Sequence, residues 1–524
     1  MSIPANRLLL ALMLLVPMTV MSVLSWDRSL TGDEGLTVFV TGGDTATLMD
    51  NVSRDNHPPL YYLMMWGWTR IFGDSLSSLR SFALVPSLLI ILLAALLLPV
   101  HAAVLLAFSP FLLHLGVELR MYGFLALAGL LQLLATRYEI SKRSVASIVL
   151  LVLSLAAGTW IHHFGWLGVA AVFTLMALKG RWRRGVIVAA AVMLLYLPWA
   201  QTALRQWSSF GGEAMEGSTV YLQSTSPLQR LAGMPFSIGG TLIRFCAGTA
   251  GIEFQQFSPS SVDAGLVIAA ALTAMMVLMA WKGRGRGNLP AVLLLLWILI
   301  PLSFLRPSAR HFSLAFTSFI LLAATGLERT GGRFGRFLMA VPVIAMLAFQ
   351  IRFVNQPVMP QRCTFQRDLN EAAEAAGRLA SEEDCPVIAH LDHYTSMSLL
   401  YHMGQLGYDE VEVRTHFDDM FGRGHYFMDD PFEALGYLRH DTDSMVTSWL
   451  DGDTVFVLLA NDPSRARGRI FGSTNRFIGM GSDVMSDLDL MESLRDNGEI
   501  VSRSELQNSR GPFSVFLVRK SGLD

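Results

Sequence analysis

Residues 82–98 read FALVPSLLIILLAALLL, a run without a single charge that follows Arg80 and ends at Pro99. A helix needs roughly 20 mostly apolar residues to cross the hydrocarbon core, and slightly shorter runs span with help from their flanks. Ten further segments have this character: Leu8–Leu24, Ala102–Val117, Met121–Ala135, Val145–Ile161, Gly165–Leu178, Gly185–Pro198, Ala264–Trp281, Leu289–Leu305, Phe312–Leu327 and Phe337–Ile351. The chain is 52% hydrophobic and 16% charged, whereas soluble domains carry about 25% charged residues. The reading is a polytopic α-helical membrane protein of about 11 transmembrane helices. Net charge is −2, which offers nothing to a nucleic-acid partner.

The loops set the expected orientation. With the N-terminus cytoplasmic, the cytoplasmic loops hold Arg137/Lys142/Arg143, Lys179/Arg181/Arg183/Arg184, Lys282/Arg284/Arg286 and Arg329/Arg333/Arg336, as the positive-inside rule requires. The loops at 25–81 and 201–263 then face outward. Leu231–Ala250 is fairly apolar but carries Arg244, and counting it as a span would put Lys282–Arg286 outside, so it reads as an interfacial or re-entrant helix. Leu8–Leu24 resembles a signal-peptide core, yet it lacks a small-residue cleavage site and reads as a retained span.

Apolar runs stop near residue 352. The chain therefore divides into a membrane domain, 1–357, and a soluble extracytoplasmic α/β domain, 358–524. In the latter, helical spacing over Asp368–Ala380, Ser396–Leu406 and Asp483–Asn497 alternates with strand-like runs at Pro386–Leu391, Thr454–Ala460 and Phe513–Arg519, a layered α/β pattern. It contains no glycine-rich phosphate loop. Three cysteines are too few for a disulfide scaffold. A Cys363–Cys385 bridge is open to an oxidising compartment, although sequence cannot place two sulfurs in range.

Ionisable groups at the outer helix ends are the candidates for chemistry. Thr31-Gly32-Asp33-Glu34-Gly35 sets two carboxylates side by side near a membrane surface, where repulsion and desolvation raise the pKa of one, as suits a general base. The competing reading is a solvated turn. Asn56-His57-Pro58-Pro59-Leu60-Tyr61-Tyr62 opens an aromatic-rich run to Phe72 that fits a helix in the interface, with His57 either structural or functional. Glu118-Leu119-Arg120-Met121-Tyr122 lies at the outer end of two spans, and its guanidinium suits a bidentate phosphate contact or a structural ion pair. Arg306 and Arg310-His311 put outward positive charge against the topological bias, which suits a lipid phosphate or a plain charged loop. His162-His163 invites a metal, but adjacent side chains on a helix point about 100° apart. No other metal-spaced array exists, so no metal and no cofactor are expected.

Taken in order, a first span followed by Asp33-Glu34, then His57-Pro58-Pro59-Leu60-Tyr61-Tyr62, then Glu118-x-Arg120-x-Tyr122 resembles the protein O-mannosyltransferase superfamily (glycosyltransferase family 39), whose bacterial relatives include the lipid A aminoarabinose transferases. The resemblance covers roughly 8–350 and is sharpest over 26–122. It implies a GT-C fold with a site in an external cavity. It implies Asp33 as the base, Glu34 assisting acceptor placement, Glu118 as the second carboxylate region, Arg120 and Tyr122 near the donor phosphate, His57 shaping the cavity, and Arg310 as a late-loop basic residue. Gly35-Leu36-Thr37 departs from the family's aromatic or alanine-rich continuation. The expected activity is transfer of a sugar from a polyprenyl-phosphate donor to a glycan, glycolipid or protein hydroxyl, at the outer face of the cell membrane and embedded in the lipid bilayer. The alternative is a transporter or flippase of lipid-linked sugars, which predicts repeats and broken helices.

Overall fold

The computed structural model of the chain describes residues 5–26, 28–210, 226–248, 264–305, 309–355, 368–390, 393–415, 455–461, 498–504 and 513–520. By chain contacts it divides into two units, one of residues 1–26 and 41–356, the other of 27–40 and 357–524. The second unit thus takes in a segment that the sequence reading leaves inside the 25–81 loop.

The first unit is helical. Its helices are α1 (Ala5–Val23), α3 (Thr45–Arg54), α4 (Leu60–Phe72), α5 (Leu76–Leu97), α6 (Val100–Ala107), α7 (Pro110–Val117), α8 (Tyr122–Lys142), α9 (Val145–Ile161), α10 (Gly165–Leu178), α11 (Trp182–Phe210), α12 (Pro227–Ala247), α13 (Ala264–Gly283), α14 (Leu289–Leu305), α15 (Ser313–Thr330) and α16 (Gly332–Asn355), with α2 (Gly32–Val40) in the second unit. Every one of the eleven apolar segments is helical. By length and apolarity, six helices among the described residues can cross a membrane, or seven with the α6–α7 pair; α9, α10 and α14 are shorter apolar helices. The expected single span Ala102–Val117 is instead two helices bent by 56°. The break has a local cause: Ser109 caps α7 by accepting from Leu112 N–H, and Pro110 cannot continue α6. Leu231–Ala250 lies mostly on α12, whose Ser226–Gln229 capping box fixes its start.

Packing follows membrane rules. In α1, Leu8, Leu9, Leu12, Met13 and Val16 are exposed, and in α11 Met193, Leu194 and Leu197 are too, faces that water would not tolerate and lipid does. These faces and the run of apolar helices make this a multi-pass membrane protein. α15 is the central helix, buried over most of its length and touching α6, α8, α13, α14 and α16. Where α13 crosses it, a Cβ on Gly326 would stand 1.8 Å from the Met279 carbonyl oxygen, and one on Gly283 would stand 1.9 Å from that of Leu322. Backbones approach this closely only through glycine, the small-residue solution to packing without a hydrophobic drive.

The two ends of the bundle differ chemically. At the end where α8 stops and α9 starts, the buried Glu139 carboxylate takes Arg184 Nη1 at 2.5 Å and the Ser147 hydroxyl. Arg137 donates to Asn288, and Arg329 Nη1 donates to the Lys282 carbonyl at 2.6 Å. The four basic loops therefore gather at one end. His57, His162, His311, Tyr122 and the buried Arg80, Arg120 and Arg310 gather at the other.

In the second unit, α17 (Asp368–Glu383) and α18 (His393–Gln405) pack with a five-stranded sheet of order β2-β1-β3-β5-β4. Its strands are β1 (Val387–His390), β2 (Val413–Thr415), β3 (Val455–Asn461), β4 (Gly498–Ser504) and β5 (Phe513–Lys520). β1 runs parallel to β2 and β3, and β5 runs antiparallel to β3 and β4. Ala372, Ala376, Val387, Leu399, Val457 and Val515 form its core. The expected helix at Asp483–Asn497, the 357/358 boundary and Cys363, and with it the Cys363–Cys385 bridge, lie outside the described residues.

Gly326→Val tests the α13–α15 crossing. Because the obstruction is backbone, side-chain adjustment cannot relieve it, and a loss of about 1–3 kcal/mol or more is expected. A lower thermal midpoint in detergent checks this; an unchanged midpoint would show that the helices can separate without loss.

Candidate functional site

The polar end of the first unit is built from three turns. Glu118 caps α7 in an extended conformation, its N–H on the His114 carbonyl, and Arg120 N–H returns to the Glu118 carbonyl at 2.8 Å. This tight turn presents Glu118, Arg120 and Tyr122, all buried, just before α8. Pro58 and Pro59 stop α3 from running into α4, and they leave Asp55 and His57 in the connecting turn. Asp55 there accepts from the Tyr62 hydroxyl at 2.6 Å and faces His57 Nδ1 at 3.2 Å. Gln206 of α11 clamps this turn by donating to the Val52 and His57 carbonyls. The third turn, 309–312, carries Arg310 and His311 into α15.

These turns meet. Arg310 pairs with Glu118 and lies 4.9 Å above the Tyr122 ring. His114 Nε2 stands 3.5 Å from the other Glu118 oxygen. The Tyr122 hydroxyl and His311 Nε2 are 3.1 Å apart. The His162 ring is 5.1 Å from that of His57 and 5.6 Å from that of His311. Arg80, fully buried, donates to the Val117 carbonyl at 2.7 Å. Burial drives the Asp55 carboxyl up, but His57, Arg120 and Tyr62 together outweigh it and hold the group below its ordinary value.

His162 lies just past a helix end, so the 100° spacing of neighbouring helical side chains does not apply to it. α9 ends at Ile161, and His162 caps it with extended backbone. Its Nδ1 accepts from Phe164 N–H at 3.1 Å, so in the neutral ring the proton sits on Nε2. That buried Nε2 has no hydrogen-bond partner among the described residues. A fixed donor among His57, His311 and Tyr122, with Arg120 acting on it electrostatically, is an arrangement that suits an oxygen ligand. The described residues contain no set of three or more His, Cys, Asp or Glu placed to hold a metal.

Of the residues singled out in the sequence, His57, Glu118, Arg120, Tyr122 and Arg310 come together in this one cluster. Arg306 lies outside the described residues. Asp33 and Glu34 belong to the second unit, in the first turn of α2. There the buried Glu34 carboxylate accepts from Thr31 N–H at 2.7 Å, and Glu34 N–H returns to the Thr31 hydroxyl at 3.3 Å. This is a capping box, legible in the Thr-x-x-Glu spacing, and it commits Glu34 to holding the turn while Asp33 stays half-buried beside it. Asp55 is the addition the sequence reading lacked, while it weighed His162 only for a metal and His311 only beside Arg310. His162 and His311 were visible as types, but nothing in their spacing tells that their loops converge.

Burial, with the nearby His57, brings His163 down to about 4 and His162 well below its usual range, while the unfolded chain titrates both near 6.5. The unfolded state therefore takes up these protons first. Stability is complete above about pH 6.5 and falls as the pH drops towards 4, with His163 contributing at most about 3 kcal/mol of that loss. Thermal unfolding in detergent should show a midpoint that drops between pH 7 and 4.5, with a shallower drop in His163→Asn. Equal slopes for both proteins would remove His163 as a cause.

No protein-family model matches the chain, and no curated protein sequence matches it. Two crystal structures of ArnT from Cupriavidus metallidurans do share its fold. The apo form aligns with a TM-score of 0.57 over 98% of both chains at 13% identity. The form bound to undecaprenyl phosphate aligns with a TM-score of 0.54 over 97% of both chains at 14% identity. The chain has an ArnT-like, GT-C fold.

Proposed function

We propose that the protein is a membrane glycosyltransferase that takes a sugar from a polyprenyl-phosphate donor and passes it to an acceptor hydroxyl on the extracytoplasmic face. The observation that carries this reading is the charge of the polar cluster. Three buried guanidiniums (Arg80, Arg120, Arg310) gather there around the carboxylates of Asp55 and Glu118. Beside His57 and His311 stands the Nε2–H of His162, which has no hydrogen-bond partner among the described residues. An anionic oxygen ligand with a long apolar tail fits such a cluster at one end of an apolar bundle, and the ArnT structure of like fold holds undecaprenyl phosphate.

In this reading, the acceptor oxygen attacks the anomeric carbon. The bond from that carbon to the phosphate oxygen breaks, its electron pair stays on the phosphate, and the acceptor proton passes to Asp33. Arg120 and Arg310 stabilise the charge that grows on the leaving phosphate, with Tyr122 and His57 shaping the pocket around it. Glu34 keeps the Asp33 turn in place and assists acceptor placement. The basic loops then face the cytoplasm with the N-terminus, and the polar cluster and the C-terminal domain, 358–524, face outward. The sugar is a hexose or pentose, and the acceptor a glycan, glycolipid or protein.

A transporter of lipid-linked sugars is the second reading, favoured by the bent α6–α7 pair, since broken helices line transport paths. The two are separated with full-length protein in nanodiscs and proteoliposomes, given polyprenyl-phosphate sugars and envelope extracts. Transfer by wild type should fall at least 100-fold in Asp33→Asn with donor binding kept, the range expected for loss of a general base. Arg120→Gln should weaken donor binding roughly 10- to 100-fold, as for a lost charged hydrogen bond. Donor movement across the bilayer without any transfer would turn the assignment to the transporter.

A further inference from the structure

The segment that carries Asp33 is held, at two backbone groups and one hydroxyl, by the helices of the C-terminal region. Leu30 N–H donates to His402 Nε2 at 3.1 Å, across 372 residues of sequence. The Thr31 carbonyl accepts from the Ser398 hydroxyl at 2.7 Å. The Ser29 hydroxyl accepts from Asn370 N–H at 3.1 Å. Ser398 and His402 stand one turn apart on α18, on the same face, and both are buried, as are Ser29 and Leu30. All three bonds land on residues 29–31, immediately ahead of the capping box that sets Asp33.

Gly35 completes the contact. A Cβ there would lie 2.4 Å from Ser398 Oγ and 2.6 Å from its backbone nitrogen, so α2 and α18 touch only because position 35 has no side chain. This accounts physically for the Gly35 that departs from the resemblance around Asp33-Glu34: the space a larger residue would take is occupied by α18.

We propose that α18 is the positioning element of the Asp33 turn, with His402 and Ser398 as positioning residues and Gly35 as the seat they close upon. The proposal rests on the reading of Asp33 as the base. It assigns to the C-terminal region a role in the chemical step itself, distinct from selection of the acceptor. The bond from Leu30 requires an acceptor lone pair on His402 Nε2, which glutamine can supply at similar reach through Oε1 and leucine cannot.

The test uses full-length protein in nanodiscs with a polyprenyl-phosphate sugar donor, comparing wild type, His402→Leu, His402→Gln and Gly35→Val. Three quantities are read: kcat, the donor KM, and amide exchange over residues 28–37. The expected result is a kcat at least 10-fold lower in His402→Leu and Gly35→Val, a donor KM within about 2-fold of wild type, faster exchange over 28–37, and recovery of most of kcat in His402→Gln. Wild-type kcat and exchange in His402→Leu would overturn the proposal. So would equal loss in the leucine and glutamine variants, since that would show the acceptor lone pair to be irrelevant. Absence of transfer by the wild type would instead bring down the glycosyltransferase reading, and the exchange arm would still report whether His402 orders the turn.

Discussion

A buried guanidinium cannot stand in an apolar bundle without a counter-charge, and the pairing of Arg310 with Glu118 meets that constraint for the polar end of the first unit. Removing one member would leave an uncompensated charge in low dielectric, a loss of several kcal/mol. The pair also ties the α7–α8 turn to the turn ahead of α15. Because α15 is the central helix, the position of this pair fixes where Tyr122 and His311 stand, and through them His162. The geometry of the cluster follows from one ion pair between two short turns.

The same constraint explains the contrast between the ends. At the opposite end Glu139 is as buried as Glu118, yet it is saturated by Arg184 and Ser147, and the neighbouring arginines are spent on Asn288 and a carbonyl. At the polar end, beside His57 and His311, His162 Nε2 has no hydrogen-bond partner among the described residues. The polar end is the one proposed as the site, although both ends contain buried charged groups.

Much of this was legible in the sequence because hydrocarbon imposes simple rules. Apolar runs at Phe82–Leu98 or Leu289–Leu305 can only be helices there, and the basic loops sort themselves by side. Glu118, Arg120, Tyr122, His57 and Arg310 stood out because each is expensive near a membrane unless used. Other features were hidden for physical reasons. The α6–α7 bend depends on Ser109 and Pro110 inside an otherwise unbroken apolar run. The protonated nitrogen of His162 depends on a backbone N–H two residues on. Asp55 gains its meaning only when α3 and α4 bring it to His57 and Tyr62.

Asp33-Glu34 shows how one short motif carries two roles that sequence cannot separate. Adjacent carboxylates suggest mutual perturbation, and in the folded chain Glu34 instead turns back to Thr31 N–H. A carboxylate used as a cap is fixed in direction and favoured by the helix N-terminus, and it thereby fixes the backbone of its neighbour. Asp33 is thus held without being bound by the cap itself. A base must be aligned to about an ångström to be effective, and for Asp33 as the proposed base that alignment would come from the capped turn and the α18 contacts at residues 29–31. The departure at Gly35 has a packing cause, the close approach of Ser398 on α18.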